Sequence, residues 1–309
     1  MNIRILQREQ IDDARWNFIV DEAVNGIVYA YTWYLDVVSP GWGALVSDNY
    51  EYIFPLPKCE KYCQKLILQP LFAQQLGLFS NSAVTPEILD EFLSLLKLNF
   101  KYVELNLNTI NKTVEFAKYA HERVTYHLCL VQPYSNIQKK YKVNTKRNCL
   151  KSFALGVEVH KNIPSDTFLD FYFQNAAHSV NSGMKSKIST LVEVLVKHKY
   201  AEIVGARVGN GSLCAVALLV RSNGKLIYLL AASSAIGKQN RAMFSIVDQV
   251  IRWSAEDNVV LDFEGSMIPS VARFYAGFGA QPCSYQRIVV NRLSFPYKVG
   301  LFFKQKFSK

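Results

Sequence analysis

The stretch VVLDFEGSMIPSVARFYAGFGAQPCSYQRIVVNR, residues 259–292, carries the clearest fold signal in the chain. Its opening, VVLDFEG, is mostly apolar and ends at a glycine, which predicts a buried strand. IPSVARFYAGFG then spaces its apolar residues at helical intervals, and SYQRIVVNR alternates as a second strand does. The stretch therefore predicts a strand–helix–strand unit of an α/β protein.

Two carboxylates close the first of these strands. Asp262 and Glu264 are two residues apart, so a regular pleat places both side chains on one face and Phe263 on the other. Gly265 lets the backbone turn without a Cβ clash, and Ser266 is a candidate cap for the next helix. A carboxylate at the open end of a central strand can hold or deprotonate an amine, which makes Glu264 a candidate catalytic residue.

The composition predicts two domains and no membrane span. Of 309 residues, 50% are hydrophobic and 13% aromatic, enough apolar material for two domains of ordinary size. No segment reaches the ~18 consecutive apolar residues of a spanning helix, and the start, MNIRILQREQIDD, lacks the layout of a signal peptide, so we expect a cytoplasmic location. Of the six cysteines only Cys59 and Cys63 are close, and they have no second pair, so we expect reduced thiols and no bound metal.

The charge balance favours anionic partners. The formal net charge is +10, from 35 Lys+Arg against 25 Asp+Glu. Such an excess suits nucleic acid, nucleotides, phosphorylated metabolites or an anionic membrane face, and charge alone does not choose among them. The tail FPYKVGLFFKQKFSK, residues 295–309, mixes aromatic residues with lysines, which predicts either a packed terminal helix or a peripheral membrane contact.

One order of elements occurs twice along the chain. Each half predicts a hairpin, a strand, a loop, a helix, a strand, a second helix and a final strand, the second helix of the first half being TVEFAKYAHE, residues 113–122. The distance from helix start to the next strand is also similar, from Pro86 to Val103 and from Arg241 to Val259. The repeat predicts an α/β fold with mixed sheets, made by tandem duplication of one module.

A segment rich in basic residues and predicted helices connects the two copies. Residues 134–162 predict a basic helix followed by Gly156 and a short strand, and two further helices precede the second hairpin. We therefore divide the chain into a first module, 1–133, and a second module, 134–309, which includes the basic connecting helix. The cations of this helix predict either a solvated face or contact with phosphates; they are Lys139, Lys140, Lys142, Lys146, Arg147 and Lys151.

This order resembles the GNAT acyltransferase module, and two copies in one chain resemble the Fem family of peptidoglycan-bridge aminoacyltransferases. TKRNCLK, residues 145–151, resembles the basic K-x-R-x-x-hydrophobic-x-K helix of that family, and VVLDFEGSM…VARFYAGFGA resembles its D-F-G-G-S … F-K-x-x-F-G stretch. YTWYLDVVSPGWGALV resembles its early helix-to-hairpin segment. The resemblance covers nearly the whole chain. It implies two tandem GNAT-like acyl-CoA N-acyltransferase domains, with LDFEGS as the fifth strand of the second, splayed from the fourth.

The donor loop departs from the GNAT pattern. Modules that use acetyl-CoA carry [QR]-x-x-G-x-[GA] before the central helix, where backbone N–H groups hold the pyrophosphate. The best frame in the second half, Ser234–Gln239, keeps one of the three positions, and Gln74–Phe79 in the first half keeps two. This favours aminoacyl-tRNA as the donor, with acyl-CoA left open because Lys238 and Arg241 could hold phosphates by charge. No tightly bound cofactor is expected.

The resemblance and the side-chain chemistry together give the candidate site. Acyl transfer to an amine depends on positioning and on donors for the oxyanion, for which backbone N–H groups near Ala231–Ser233 are candidates. The catalytic candidates are Glu264 and Lys238. Trp42 either stacks on a ligand or fills a gap. The candidate substrate-binding residues are aromatic, amide and basic side chains, namely Trp42, Gln69, Gln74, Lys146, Arg147, Tyr228, Arg241 and Arg273.

Three functions stay open at this point. The leading one is a Fem-like transfer of an acyl or aminoacyl group to an amine of a cell-wall (peptidoglycan) precursor or another anionic small molecule, with tRNA as a partner. The second is an acyl-CoA-dependent N-acetyltransferase acting on a small amine. The third is a degenerate, non-catalytic double-GNAT binding protein, with which the weak phosphate loops are compatible.

Overall fold

The computed structural model of the chain describes residues 1–61, 64–176, 180–209, 211–265 and 267–294. Within these ranges no helix has both the length and the apolar character that crossing a bilayer requires. The chain forms two compact units, the first comprising Met1–Glu122 with the chain from Tyr285 onward, and the second comprising Arg123–Ser284. Three sequence-based predictions concern residues outside the described ranges: the paired cysteine Cys63, the cap Ser266 and the tail 295–309.

The first unit combines helices with mixed strand pairing. Its elements in chain order are β1 Ile3–Gln7, α1 Asp13–Glu22, α2 Thr32–Val38, β2 Gly43–Ser47, β3 Tyr52–Leu56, β4 Lys58–Lys61, β5 Gln64–Leu68, β6 Phe79–Ser80, α3 Pro86–Asn99, β7 Tyr102–Asn106 and the second half of β14 Gln281–Asn291. Strands β1, β2, β3 and β6 pair antiparallel in that order. Strand β5 pairs with β4 antiparallel and with β7 parallel, and β14 pairs with β7 antiparallel. The predicted strands of this half and the helix from Pro86 are confirmed.

Trp42 belongs to the core of the first unit. It is fully buried, and its ring meets the edge of Trp16 with centroids 5.0 Å apart. Its indole N–H donates to Asp36 over 2.8 Å, and Arg8 pairs with the same carboxylate at 2.6 Å. Burial pushes the pKa of Asp36 upward, but the hydrogen bonds from Arg8 and Trp42 bring it below its ordinary value. The prediction that Trp42 stacks on a ligand is therefore wrong, because the ring fills a gap in the core.

The predicted helix over residues 113–122 is wrong. The chain makes one 3-10 turn, Ala117–Tyr119, and enters a strand at Ala120. The buried Asp90 of α3 fixes the preceding segment, since its carboxylate accepts hydrogen bonds from the hydroxyl of Thr113 and from the N–H of Glu115. This tertiary anchoring leaves room for a single turn, so it overrides the local helical pattern.

The second unit is built on one mixed sheet. Its elements are the end of β8 Ala120–Cys129, α4 Tyr134–Lys139, α5 Val143–Ala154, β9 Glu158–Lys161, α6 Ser165–Asn175, α7 Ser182–Lys197, β10 Ala201–Arg207, β11 Leu213–Ser222, β12 Lys225–Ser233, α8 Ala235–Gln239, α9 Ala242–Trp253, β13 Val260–Gly265, α10 Pro269–Gly277 and the start of β14. The strand order is β8-β13-β12-β11-β10-β9. The predicted Asn-Gly turn is confirmed, because Asn223 and Gly224 have φ of 48° and 67°, as a type I′ hairpin requires. Helix α9 covers one face of the sheet with its apolar side.

The predicted basic helix is two helices. Helices α4 and α5 are separated at Lys142, whose extended backbone donates its N–H to the carbonyl of Gly277 over 2.9 Å. The break lets Tyr141 enter the core, where its ring meets Phe278 edge-on with centroids 5.2 Å apart. The predicted glycine stop and short strand are confirmed, since Gly156 adopts φ 70° after α5 and β9 follows.

Candidate functional site

Strands β12 and β13 of the second unit run parallel and then part. They pair at three positions only, the last being Ile227 with Asp262. Strand β12 continues to Ser233, and among the described strands none pairs with it on that side beyond Ile227. The predicted splay of the fifth strand is therefore confirmed. Backbone N–H and C=O groups on this side of β12 lack ladder partners, and such groups need a hydrogen-bonding partner from elsewhere.

A β-bulge marks the point where the strands part. Leu218 and Leu219 are adjacent on β11, but they face Leu230 and Tyr228 on β12, so Leu229 is one extra residue. A bulge takes the extra residue out of the ladder, and bulges are over-represented beside active sites. The N–H of Leu229 is therefore a candidate donor to a carbonyl oxygen in the gap, in addition to the N–H groups that the sequence indicated.

The last part of β12 carries small side chains. Ala231 pairs with Ala217 of β11, and Ser233 pairs with Ala215, so all four side chains share one face of the sheet. Ala215 and Ala217 are buried, whereas Ala231 is partly exposed. Ala231 and Ser233 are both partly exposed beside the unpaired backbone, so small side chains that are not fully covered follow the point where the strands part.

Aromatic rings close the narrow end of the gap. Tyr228 and Phe263 are the first residues beyond the paired segment on the two strands, and their ring centroids are 6.0 Å apart. Phe263 stacks on Tyr275 of α10 at 4.7 Å. The hydroxyl of Tyr228 lies 2.8 Å from the sulfur of Met243, and burial raises the pKa of this phenol well above its ordinary value. Tyr228, a predicted substrate-binding residue, is thus a neutral packed side chain at the end of the gap.

Glu264 lies in an irregular part of β13. Asp262 pairs with His127 of β8, and the next paired residue, Gly265, faces Thr125. An advance of three residues along β13 therefore corresponds to an advance of two along β8. Glu264 adopts a left-handed φ of 55°, and its N–H donates to Asp262 Oδ1 over 3.0 Å. The regular alternation that placed Asp262 and Glu264 on one face is therefore wrong. Glu264 remains partly exposed just beyond the point where the strands part.

Asp262 anchors a polar cluster that the sequence did not reveal. The residue is 1% exposed, and its carboxylate accepts from Thr125 Oγ1 at 2.7 Å and lies 3.1 Å from His127 Nε2. Burial pushes the pKa of Asp262 upward, but the hydrogen bond and charge of His127, with Lys225 and Thr125, bring it below its ordinary value. No histidine received a role from the sequence, because the five are dispersed and only the pairing of β8 with β13 joins His127 to Asp262.

We expect Asp262→Asn to lower the free energy of unfolding by about 1–2 kcal/mol at neutral pH. The amide keeps an acceptor for Thr125 but loses the charge that attracts His127. Because the folded-state pKa of Asp262 lies below its ordinary value, its contribution is present above about pH 4 and is lost as the pH falls through the folded-state value. Urea unfolding should show a clear deficit at neutral pH that shrinks near pH 3, and an equal deficit at both values would contradict this account.

The loop after β12 is a capped helical turn. The hydroxyl of Ser234 accepts from the N–H of Gly237 over 3.2 Å and donates to the carbonyl of Cys214 over 3.1 Å. A Cβ on Gly237 would lie 2.1 Å from that same carbonyl oxygen. The glycine that matches the GNAT frame therefore serves close packing of α8 on β11, and its N–H already has a partner.

The predicted cations of this region are all exposed. Lys238 is on α8, and Arg241 precedes α9 with a left-handed φ of 58°. The guanidinium of Arg241 donates to the carbonyl of Lys238 over 3.3 Å, which holds the two residues together. Arg273 is on α10. Lys238 and Arg241 follow the open end of β12 and place two positive charges there.

A cleft of about 950 Å³ opens between α4, α5, α9 and β9. Its lining includes Lys139 and Lys146 from the predicted basic set, together with Arg252 of α9. The Nζ of Lys146 donates to the carbonyl of Lys139 over 3.3 Å. Arg147 is not among the lining residues, and its guanidinium donates to Asn144 Oδ1 over 2.9 Å. The structure thus brings Lys146 into the cleft and leaves Arg147 on the outer side of α5.

A polar network supports the α9 side of this cleft. The hydroxyl of Tyr134 donates to Asp248 Oδ1 over 2.8 Å, and Arg252 lies 4.0 Å above the Tyr134 ring while donating to its hydroxyl. Burial raises the pKa of the Cys149 thiol to about 12, with the nearby Asp248 carboxylate adding to the rise. Cys149 is therefore a protonated thiol at neutral pH and a poor nucleophile.

The two predicted glutamines are in the first unit. Gln69 uses both ends of its amide, donating to the carbonyl of Ala73 and accepting from the N–H of Asn106 at 2.8 Å. Gln74 accepts from the side chain of Gln75 over 2.8 Å. The Gln69 bonds tie the loop after β5 to β7, and the bond between Gln74 and Gln75 lies within that loop.

Comparison with known proteins extends this description. No family model and no curated protein sequence match the chain. Among solved structures it is similar to FemX, with a TM-score of 0.67 and 11% identity over 93% of this chain and 97% of that one. It is similar to L-PGS from Bacillus licheniformis, with a TM-score of 0.55 and 11% identity over 96% of each chain. It is also similar to the C-terminal domain of an Agrobacterium fabrum protein assigned as a lysylphosphatidylglycerol synthetase, with a TM-score of 0.54 and 9% identity over 94% of this chain and 93% of that one.

At sequence identities of 9–11%, these similarities show the fold of the chain and not its chemistry. The protein has a mixed α/β, Fem-like fold of tandem GNAT-like modules.

Proposed function

We propose that the protein transfers an acyl or aminoacyl group from an activated donor to an amine. The observation that carries this proposal is the parting of β12 from β13 after three paired positions, with the bulge at Leu229 where they part. A donor laid along the unpaired side of β12 would find backbone N–H groups for its carbonyl. Its chain would lie over the small side chains of Ala231 and Ser233.

The proposed reaction forms an amide. A neutral amine attacks the carbonyl carbon of an ester or thioester, so a C–N bond forms while the C–O or C–S bond breaks, and the leaving alcohol or thiol takes up the proton that the amine loses. Negative charge grows on the carbonyl oxygen, where the N–H of Leu229 would stabilise it. Glu264 would receive the amine proton before it passes to the leaving group. Lys238 would balance the charge of a phosphate on the donor.

The loop after β12 favours an aminoacyl-tRNA donor over acyl-CoA. A pyrophosphate cradle needs several backbone N–H groups that point at the phosphates. Here the N–H of Gly237 is taken by Ser234. The exposed Lys238 and Arg241 supply charge without that cradle, and charge contacts of this kind suit the phosphates of an RNA end.

The proposed acceptor is an amine of a phosphate-bearing peptidoglycan precursor. This part rests on the Fem-like fold and on the cleft that contains Lys139, Lys146 and Arg252. The lining also contains the carboxylates of Glu158 and Asp248, so the three cations leave a small positive excess, and a cleft of about 950 Å³ with this excess suits a diphosphate with an attached sugar and peptide.

A transfer assay with defined donors and acceptors tests the proposal. The protein is incubated with tRNA charged with labelled amino acids and with a UDP-linked muropeptide, and the product is followed by mass. We expect a new amide on the muropeptide and a higher melting temperature in its presence. Acetyl transfer from acetyl-CoA to small amines, with no reaction of charged tRNA, would overturn the donor assignment. Absence of transfer and of stabilisation across all pairs would overturn the enzyme assignment and favour a non-catalytic binding protein.

Lys146→Ala is expected to raise KM for the muropeptide about tenfold while leaving kcat within about twofold, because it removes one phosphate contact from ground state and transition state alike. Lys197→Ala, an exposed lysine at the end of α7, is the matched control and should leave both constants unchanged. Steady-state rates over a range of acceptor concentrations separate the two constants. An unchanged KM in the Lys146 variant would remove this residue from the acceptor site.

A further inference from the structure

Helix α5 presents its apolar side chains to solvent. On a helix that turns about 100° per residue, Val143, Leu150 and Phe153 fall within about 80° of one another. Their exposed fractions are 84%, 69% and 80%. The buried residues of the same helix are the polar Thr145 and Ser152. Helix α5 is therefore inverted relative to an ordinary surface helix, which turns its apolar side to the core.

Helix α5 itself carries charge of one sign, while the carboxylates of Glu158 and Asp248 lie on other walls of the cleft that Leu150 and Phe153 line. Residues 134–157 contain no aspartate or glutamate. Lys146 lies within the stripe, and Arg147 and Lys151 lie about 40° and 80° to one side of Val143. All three cations are exposed. Exposed apolar side chains bordered by cations without acidic partners are typical of helices that lie on anionic bilayers.

We propose that α5 docks the protein on the surface of an anionic lipid bilayer. Val143, Leu150 and Phe153 enter the boundary between headgroups and acyl chains, and Arg147 and Lys151 contact the lipid phosphates. Leu150 and Phe153 also line the cleft of about 950 Å³, so the mouth of that cleft faces the bilayer in the docked protein. A nucleic acid would use the same cations, but it would gain nothing from three exposed apolar side chains. The inverted polarity of the helix therefore favours lipid over RNA.

Sedimentation with lipid vesicles tests the docking. We expect binding to vesicles of phosphatidylglycerol and phosphatidylcholine, little binding to pure phosphatidylcholine, and a loss of binding as salt is raised. The double variant Leu150→Ser/Phe153→Ser should weaken binding about tenfold or more, because the remaining cations alone anchor poorly. The matched control is Leu98→Ser/Val114→Ser, which removes side chains of 73% and 69% exposure from the first unit and should bind as the parent does.

A charge-reversal variant completes the test. Arg147→Glu/Lys151→Glu should abolish the preference for phosphatidylglycerol, and circular dichroism of each variant shows whether the fold is kept. Failure of the parent protein to bind phosphatidylglycerol vesicles would overturn the docking, as would equal losses in the Leu150/Phe153 variant and its control. RNA binding that needs the cations but not Leu150 and Phe153, with no vesicle binding, would assign α5 to RNA instead. The assay contains no donor or acceptor, so its outcome is independent of the proposed transferase activity.

Discussion

Replacing Ala231 by phenylalanine is expected to lower the rate of acyl transfer about 100-fold or more, and to destabilise the protein by about 1–3 kcal/mol because Ala231 also packs against the core. Ala231 lies on the unpaired part of β12, next to the buried Ala217, and its side chain is partly exposed. A benzyl group at this position projects over the sheet where the donor chain is proposed to lie. The ring displaces the donor by more than the ångström that a reacting carbonyl tolerates.

Ala255→Phe provides the matched control for this variant. Ala255 is also partly buried against the core of the second unit, but it precedes β13 and lies at the opposite end from the parting of the strands. The Ala255→Phe variant should therefore keep the transfer rate of the parent protein. Single-turnover rates with saturating acceptor measure the effect on the donor side, and a fully active Ala231→Phe would exclude this gap as the donor site.

Gly237→Ala is expected to destabilise the protein by about 3 kcal/mol. The added Cβ would lie 2.1 Å from the carbonyl oxygen of Cys214 and 2.5 Å from the hydroxyl of Ser233. The carbonyl belongs to β11, in the middle of the sheet, so relief requires α8 to move away from the strand. Denaturant unfolding at neutral pH measures the loss of free energy.

Gly183→Ala is a control for which we expect the opposite change in the free energy of unfolding. Gly183 is in the first turn of α7, and a Cβ there would meet nothing closer than Asn181 Oδ1 at 3.7 Å. Alanine should stabilise this helix by about 0.5–1 kcal/mol, because it lowers the entropy of the unfolded chain. If Gly237→Ala were as stable as the parent but inactive, the glycine would serve a ligand, and the packing explanation would be wrong.

The sequence predicted the elements whose signals are local. The strand ending at Gly265, the Asn223–Gly224 hairpin and the glycine stop at Gly156 each depend on neighbours along the chain, and the structure confirms them. The splay of β13 followed from the resemblance to GNAT modules, since composition and periodicity contain no measure of where two parallel strands part.

Contacts between segments that are distant along the chain could not be predicted from the sequence. The pairing of Asp262 with His127 joins residues 135 positions apart, since 262 − 127 = 135, and it exists only because β8 and β13 are neighbours. The break between α4 and α5 depends on the burial of Tyr141 against Phe278. Trp42 stands between glycines in the sequence, but its neighbours in space are Trp16 and Arg8.

The bulged, half-paired strand β12 has a consequence for how this protein can diverge. Its proposed contacts with the donor come from peptide groups, which every residue except proline supplies in the same form. Substitution of the surrounding side chains can therefore proceed for a very long time without erasing the geometry. A chain path like that of FemX at 11% identity therefore does not require a shared set of side chains.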